Sequence, residues 1–406
     1  MASSTSSPFA ALKIVECGQG VSAAFGAKLL ADLGAQVIKV EPPEGDLTRG
    51  RGPFPAGSED PEKSGTFIYL NTNKRGVTID LTQAAGQQLL SELLNRADVL
   101  IHNVPPAERS VWGLENSALQ TRHPRLVIAA ISVFGGSGRY ASYKAYELTA
   151  SNASGWAFLS PGASPYPDLP PLKCFGSQCD FQGGVHAALT VLAAYFHRLK
   201  SSDTGQVIEI SEQEAVAAML EMNLMHYTYA GRETSRLGSR ALGPWFIADC
   251  ADGQIFVLAV EEDQWQRLVD LMGNPEWARE ELFKDRLSRA QNMDALKALM
   301  AEWLAGWKVQ DLYRVAQEHR VPFAPINTMR SLYESEHLRQ RNFFVDVHQP
   351  GVGKMRVPGM PSQYGKSFWA IRRPAPRLGE HNEEIFCAEL GLSQQRFREL
   401  RNAGVI

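Results

Sequence analysis

One aspartate of this sequence stands where a carboxylate could do chemistry. Asp180 follows a Pro-rich loop and precedes a segment with Val185, Leu189, Leu192 and Phe196 at helical spacing. At such a loop-to-helix junction, the free N–H groups and the helix dipole favour a negative charge. The sequence therefore predicts that Asp180 stays ionised and can act as a nucleophile. The alternative is an ordinary helix N-cap.

Two glycines follow this aspartate, at positions 183 and 184. Glycine is a poor residue with which to begin a helix, because it gives up the most backbone freedom on folding. Its presence here indicates that another segment or molecule approaches the helix backbone closely.

Composition excludes several classes of protein. A chain of 406 residues predicts two domains, and a net charge of −3 gives no argument for a nucleic-acid or membrane partner. The five cysteines are scattered, without a zinc spacing, so we expect no metal site. No apolar run is long enough to span a bilayer. We expect a soluble, cytoplasmic enzyme.

The elements that would position Asp180 begin with a βαβ unit. LKIVEC predicts a buried strand, SAAFGAKLLADLG an amphipathic helix and AQVIKVE a second strand. Strands and helices then alternate over about the first 135 residues, which predicts an α/β fold with a parallel sheet. The turn Gly18-Gln19-Gly20 and the strand-end acid Glu41 loosely match a dinucleotide fingerprint, so NAD binding is one alternative.

Basic residues follow the second strand. The loop EPPEGDLTRGRG contains Arg49, and TFIYLNTNKRGVTIDL is interpreted as two strand-like runs around Asn73, Lys74 and Arg75. Adjacent Lys and Arg in a tight turn are suited to phosphate. They are equally compatible with a solvated loop tip.

The order of these segments resembles the class III CoA-transferases. LADLGAQVIKVEPPEGDLTR is followed by LNTNKRGVTIDL, ADVLIHNVPP, the strand end SVFG, KAYELTA and then Asp180. GQVIEISEQEAVAAM and the tail from PAPRLGEHN onward continue the similarity, which covers nearly the whole chain.

The resemblance implies a large Rossmann-like domain built from both chain ends, with a smaller α/β domain inserted between them. It also implies a homodimer whose two subunits are interlocked. On this basis we expect residues 1–215 to form the N-terminal part of the large CoA-binding domain, 216–330 a linker helix and the small domain, and 331–406 the return.

The resemblance also implies a mechanism. Asp180 would attack an acyl-CoA thioester to give an acyl-aspartyl anhydride, and the released CoA would then form an aspartyl-CoA thioester that a small carboxylic acid resolves. The CoA thioester is a substrate, and no tightly bound cofactor is implied. N–H groups beside Gly183 are candidates to stabilise the oxyanion, and Tyr146 and Glu147 match a pair near the reacting centre in some transferases.

The family's CoA site implies further residues in this chain. Gly238 and Gly243 would be remnants of a longer glycine loop that closes over the aspartyl intermediate. The residues that match CoA-contacting positions by similarity are Val21, Arg49, Asn73, Lys74, Arg75, Asn103 and, as a substitute by spacing, Arg109.

Two alternatives share the fold. The 2-methylacyl-CoA racemases have His-Asp where this chain has Tyr146 and Glu147, and they use that His for proton transfer. Tyrosine, with an ordinary pKa of about 10, is a poor exchange partner at neutral pH, which favours transfer over racemisation. A non-catalytic acyl-CoA binding protein is the second alternative.

Overall fold

A computed structural model describes residues 7–162, 168–236, 242–364 and 368–406 of the chain. The chain divides into two compact units. The first contains the N-terminal residues up to Ser160, Pro171–Thr234 and Phe343–Ile406, and the second contains Pro161–Pro170 and Ser235–Asn342. The segment 216–330 expected for the small domain begins and ends before the main part of the second unit, Ser235–Asn342, does, and the domain assignment stays a prediction.

The first unit is built on a six-stranded parallel sheet, which confirms the predicted α/β class. The strand order is β3-β2-β1-β4-β5-β6, as in doubly wound nucleotide-binding folds. Val15 of β1 pairs with Ile38 of β2 on one side and Leu100 of β4 on the other. The strands are β1 Lys13–Cys17, β2 Gln36–Glu41, β3 Lys74–Thr78, β4 Val99–His102, β5 Val127–Ser132 and β6 Val207–Ser211.

Helices cover both faces of this sheet because its strands are apolar on both sides. Ala27 and Val191, from the helices α1 and α6, pack against one face, and Leu90 of α3 packs against the other with Phe386 from the C-terminal part. The helices are α1 Ser22–Asp32, α2 Gly65–Asn71, α3 Ala84–Leu94, α4 Asn116–Arg122, α5 Glu147–Ala153, α6 Gln178–His197, α7 Glu212–Ala217 and α8 Glu221–Ala230.

The second unit has its own core around Leu268, Leu296 and Leu312. Its strands form a three-stranded antiparallel sheet in the order β7-β8-β9. The elements are β7 Trp245–Cys250, β8 Gly253–Leu258, α9 Glu262–Leu271, α10 Arg286–Gln291, α11 Met293–Ala305, α12 Val309–Glu318, β9 Ala324–Pro325, α13 Met329–Tyr333 and α14 Glu336–Gln340.

The chain then returns to the first unit and closes the β3 edge of its sheet. The Thr78 N–H donates to Asn382 Oδ1 at 2.9 Å, and the Asp80 N–H donates to the Val405 carbonyl at 2.7 Å. Both chain ends therefore belong to one unit. The returning elements are β10 Phe344–Gln349, β11 Gly353–Pro358 and α15 Gln394–Asn402.

One element differs from the sequence-based interpretation. TFIYL, interpreted as a strand, lies in the helix α2. The Ser64 side chain caps this helix by accepting the Phe67 N–H, and Phe67, Ile68, Leu70 and Asn71 are its buried residues. This spacing is helical, and the strand interpretation gave too much weight to β-branched and aromatic residues.

Candidate active site

Asp180 lies in the first turn of α6, three residues after the N-cap residue Ser177. It is half-buried. The N–H groups of this turn have no partner within the helix. Those of Cys179 and Asp180 instead donate to Oε2 of Glu147, at 2.9 and 3.2 Å. The structure thus brings together two of the predicted catalytic residues through the helix end.

Glu147 is itself the first residue of a helix, α5. Its other carboxylate oxygen, Oε1, lies 3.4 Å from the Lys173 ammonium. Lys173 also donates to the carbonyls of Cys174 and Gly176 in the loop that precedes α6. Glu147 therefore holds both the loop and the helix start that carry Asp180.

A third carboxyl group, that of Glu212, lies at the same place, and the sequence analysis did not assign it to the site. Glu212 directly follows β6 and is only 4% exposed. Its Cγ would lie 2.9 Å from a Cβ at residue 183, one helical turn after Asp180. The Ser22 side chain favours its charged form and acts to lower its pKa. We refer to Glu147, Asp180 and Glu212 as the carboxylate cluster.

The carboxylate cluster raises the pKa of Asp180, whereas its place at a helix start alone would lower it. Burial, followed by the nearby charge of Glu147, raises the pKa of Asp180 to about 6, although Ser177, Arg51 and Lys173 act to lower it. Burial and the charges of Asp180 and Glu147 raise the pKa of Glu212 to about 8. The helix dipole alone predicts a lowered pKa for Asp180. Burial and the neighbouring carboxylate outweigh the dipole, but a pKa of about 6 still leaves Asp180 mostly ionised at neutral pH.

The two glycines of α6 allow close packing of helices. A Cβ at Gly184 would lie 2.7 Å from the Ser22 carbonyl oxygen of α1, and a Cβ at Gly26 would lie 2.9 Å from the Gly184 carbonyl oxygen. The element whose close approach the glycines predicted is therefore the helix α1. Only the N–H groups of the first turn of α6 lack a partner within the helix, and Gly183 lies after that turn. Helix geometry therefore does not favour its predicted oxyanion role.

Asn103 and Val21 lie at the same edge of the sheet as Asp180, after β4 and β1. The Asn103 side chain accepts the Gln19 N–H at 3.0 Å and donates to Ser22 Oγ at 3.1 Å. Val21 is buried in a small apolar cluster with Phe181 beside Asp180. Asn103 thus fixes the β1–α1 turn and the Ser22 side chain.

Two of the residues predicted to bind phosphate are instead buried in ion pairs. Arg49 donates twice to Glu41, at 2.7 and 2.9 Å. Lys74 is fully buried and donates to Glu16 at 3.0 Å, and burial lowers the pKa of Lys74 to about 8 although Glu16 opposes this. In this arrangement neither cation is available to a phosphate. Because Arg49 occupies both oxygens of Glu41, that acid is not free for a ribose hydroxyl either.

Asn73 and Arg75 lie at the amino end of β3, the opposite edge of the sheet from Asp180. Asn73 donates to Asp32 at 2.6 Å and accepts the N–H groups of the returning segment. Arg75 is paired with Glu384 and Glu389. The predicted turn therefore ties the C-terminal part to the sheet. Its assignment to the CoA site rests on the family resemblance and stays a prediction.

The last two predicted residues have different surroundings. Arg109 is buried and pairs with Glu209 of β6 at 3.1 Å. Tyr146 is 75% exposed and precedes α5.

The expected glycine loop is only partly described. Gly243 belongs to the second unit, and Gly238 lies outside the described residues.

A cavity of about 390 Å³ opens at the carboxyl ends of β1, β2 and β3. Cys17, Glu41 and Trp112 are among its lining residues. Ligands of open α/β sheets bind at this edge, outside the ends of the strands.

Comparison with known proteins identifies the family of this chain. Residues 9–382 match the family described as CoA-transferase family III. The chain belongs to this family. It is 31% identical to a succinyl-CoA–D-citramalate CoA-transferase of Chloroflexus aurantiacus, over 98% of each chain. It is 30% identical to a formyl-CoA:oxalate CoA-transferase of Streptomyces coelicolor, over 97% of this chain and 98% of that one.

A solved structure of the same family shows the same fold. The CaiB/BaiF family protein from Brucella suis matches with a TM-score of 0.84 and 28% identity, over 94% of this chain and 99% of that one. The predicted family and enzyme class are thus confirmed, and the chain is a class III CoA-transferase. Within the described ranges, no helix could cross a membrane, and no group of acidic, His and Cys side chains could hold a metal ion.

Proposed function

We propose that the chain transfers CoA between an acyl-CoA donor and a small carboxylic acid, with Asp180 as the covalent nucleophile. The position of Asp180 supports this proposal most strongly. It is a half-buried carboxylate at the ligand edge of the sheet, and two further carboxyl groups surround it. A carboxylate with a pKa raised to about 6 is still mostly ionised at neutral pH and is a stronger nucleophile than an ordinary one.

The proposed steps need no net proton transfer. An oxygen of Asp180 attacks the thioester carbon, and the C–S bond breaks to give an acyl-aspartyl anhydride and CoA thiolate. The thiolate attacks the aspartyl carbonyl carbon, which forms an aspartyl-CoA thioester and releases the donor acid. The acceptor carboxylate then repeats these two steps in reverse. Each step passes through a tetrahedral oxyanion that requires a hydrogen-bond donor.

We place the nucleotide end of CoA in the cavity at the ends of β1, β2 and β3. Trp112 offers the adenine ring an aromatic face there, and the cavity volume of about 390 Å³ suits a group of that size. The β1–α1 turn held by Asn103 lies between this cavity and Asp180. A pantetheine arm along this turn would connect the two.

We further propose that the acids exchanged are dicarboxylates. Succinate, citramalate and oxalate appear in the names of relatives, among them a succinate–glutarate CoA-transferase of Agrobacterium fabrum at 29% identity. One carboxylate of such an acid reacts, and the other needs a cation. Arg51 is the cation we assign to it. Its charge lowers the pKa of Asp180, and among the described residues no side chain forms an ion pair with it.

Two copies of the chain are proposed to form the functional unit. Helix α8 buries none of its residues, although Met222, Met225 and Tyr227 are large and apolar. Phe175, beside the active-site loop, is 99% exposed. Exposed apolar surface of this extent marks an interaction site. A second copy is the partner expected from the family, and sedimentation analysis would test it.

The Asp180→Ala variant tests the proposed mechanism. With succinyl-CoA and isotope-labelled succinate, wild-type protein should exchange the label and Asp180→Ala should lose at least about 10⁴-fold in rate. The variant should still bind CoA, because the nucleotide cavity is unchanged. Asp203→Ala, an exposed aspartate beyond the other end of α6, is the matched control and should keep full exchange. Normal exchange in Asp180→Ala would reject the mechanism.

The same experiment separates the alternatives. Loss of the α-hydrogen of a 2-methylacyl-CoA to deuterated water, without CoA exchange, would indicate a racemase-like enzyme. CoA binding without either reaction would indicate a binding protein.

A further inference from the structure

We propose that Glu212 holds a proton at neutral pH and, as a neutral carboxylic acid, is the positioning residue that leaves Asp180 as the charged nucleophile. The catalytic role given to Glu212 rests on the proposed function. The location of the proton is argued from the arrangement of the three carboxyl groups and does not depend on that function.

The backbone fixes the position of Glu212 beside Asp180. Glu212 is the first residue of α7 and follows the end of β6, so its Cα cannot move away from the carboxyl edge of the sheet. The absence of a side chain at Gly183 leaves room for it, because a Cβ there would lie 2.9 Å from Glu212 Cγ and 3.4 Å from Oε1. The packing of α6 on α7 thus places the carboxyl group within one helical turn of Asp180.

The cluster has too few positive charges for three carboxylates. In a site of low dielectric, neighbouring carboxylates cannot all ionise, and the one with the fewest compensating partners keeps the proton. Glu147 accepts two backbone N–H groups and faces Lys173. Asp180 is only half-buried, and the nearby positive charges of Arg51 and Lys173 favour its charged form.

Glu212 has the poorest compensation of the three. It is 4% exposed, and within the described ranges no Lys, Arg or His lies in ion-pair contact with it. The charges of Asp180 of α6 and Glu147 of α5 disfavour its ionisation, and the Ser22 side chain of α1 favours it. The proton of the cluster therefore resides on Glu212, in agreement with a pKa raised to about 8.

The location of this proton matters for the proposed reaction. With Glu212 neutral, the cluster carries two negative charges, and an anionic acceptor acid can approach the aspartyl carbonyl carbon. Ionisation of Glu212 adds a third charge, which repels both the acceptor and the developing oxyanion. We therefore expect kcat/KM to fall about tenfold per pH unit above the pKa of Glu212.

Infrared spectroscopy tests the proton directly, without turnover. A protonated carboxylic acid has a C=O stretching band separate from those of carboxylates. The difference spectrum between wild type and Glu212→Gln should show this band at about pH 7 and lose it at about pH 10. Glu214→Gln, which removes an exposed glutamate from the same helix, is the matched control and should not remove the band.

The pH profile of CoA exchange is the second measurement. Wild type should show an alkaline fall that Glu212→Gln abolishes and Glu214→Gln retains. Ser22→Ala should move the fall to higher pH, because the Ser22 side chain favours the charged form of Glu212 and so lowers its pKa. This variant keeps the test valid if Glu212→Gln folds poorly.

The outcomes distinguish this inference from the proposed function. The absence of an acid band at neutral pH, or an unchanged alkaline fall in Glu212→Gln, would overturn the assignment to Glu212 even in an active transferase. If wild type exchanges no CoA, the proposed function fails, and the infrared spectrum still decides whether Glu212 holds the proton.

Discussion

Two regions of the first unit bury ionisable side chains, but only one of them pairs acidic groups with basic ones. In the first, which we call the paired network, Lys39 lies 2.9 Å from both Glu16 and Asp46, and Lys74 lies 3.0 Å from Glu16. All four of these side chains are fully buried. In the carboxylate cluster, three acidic side chains meet at a helix end, and Lys173 is the one cation in ion-pair contact with them among the described residues.

The difference appears in the pKa values. Burial lowers the pKa of Lys39, but Asp46, Glu16 and Glu41 outweigh burial and leave the pKa above its ordinary value. Burial likewise raises the pKa of Asp46, but Lys39 and Thr48 bring it below its ordinary value. In the cluster, burial and like charges act in the same direction. A buried charge with balanced partners is costly to leave unpaired, whereas a group whose pKa is shifted by uncompensated neighbours is available for chemistry.

The largest effect is expected from a break in the paired network. Lys39→Met should lower the free energy of unfolding by about 3–5 kcal/mol, because it leaves the carboxylates of Glu16 and Asp46 buried without this partner. Chemical denaturation would measure this loss. Lys13→Met, in the neighbouring strand but exposed, is the control and should change stability by less than about 0.5 kcal/mol. Equal effects of the two variants would contradict a structural role for the network.

A neutral substitution in the cluster should have the opposite sign. Because the pKa of Asp180 is raised from 3.8 to about 6 in the folded state, its favourable contribution is present below about 4 and is lost as the pH rises through about 6. Asp180→Asn should therefore stabilise the protein at about pH 8, by about 1–3 kcal/mol, and have little effect at about pH 4.

Asp46→Asn is the matched variant for this comparison. The pKa of Asp46 is lowered, so its contribution is present above about pH 4 and is lost as the pH falls through the folded-state value. This variant should therefore destabilise the protein at about pH 8. Thermal unfolding at both pH values measures the two effects, and the same sign for both variants would remove the distinction between the regions.

The smallest effect concerns the cation that faces the cluster from the β2–α2 loop. Arg51→Gln should lower kcat/KM for a dicarboxylate acceptor such as succinate about tenfold, and leave a monocarboxylate acceptor such as butyrate within about twofold. Competition between the two acids for one acyl-CoA donor gives this ratio directly. Arg122→Gln, on the exposed face of α4, serves as the control. Equal losses for both acids would mean that Arg51 acts on Asp180 rather than on the substrate.

Local patterns in the sequence predicted most of the first unit correctly. LKIVEC, AQVIKVE and the SAAFGAKLLADLG helix correspond to β1, β2 and α1 because apolar periodicity is a local signal. The same reasoning failed for TFIYL, where a cap at Ser64 and burial at helical spacing decide the structure. The assignment of Asn73 and Arg75 to the CoA site came from the family resemblance, and it stays a prediction; the structure places both residues at the amino end of β3.

The sequence by itself determined the alternation of strands and helices, the family resemblance and the position of Asp180 at the start of a helix. Each of these depends on neighbours in the chain, so it can be inferred from spacing. The resemblance implied that Glu147 lies near Asp180, but only the tertiary structure decided how they meet, that Glu212 joins them, and that Arg49 and Lys74 are occupied by buried acids. These contacts join residues far apart in the sequence. Charge balance in a buried site depends on such distances in space, and a single sequence does not contain them.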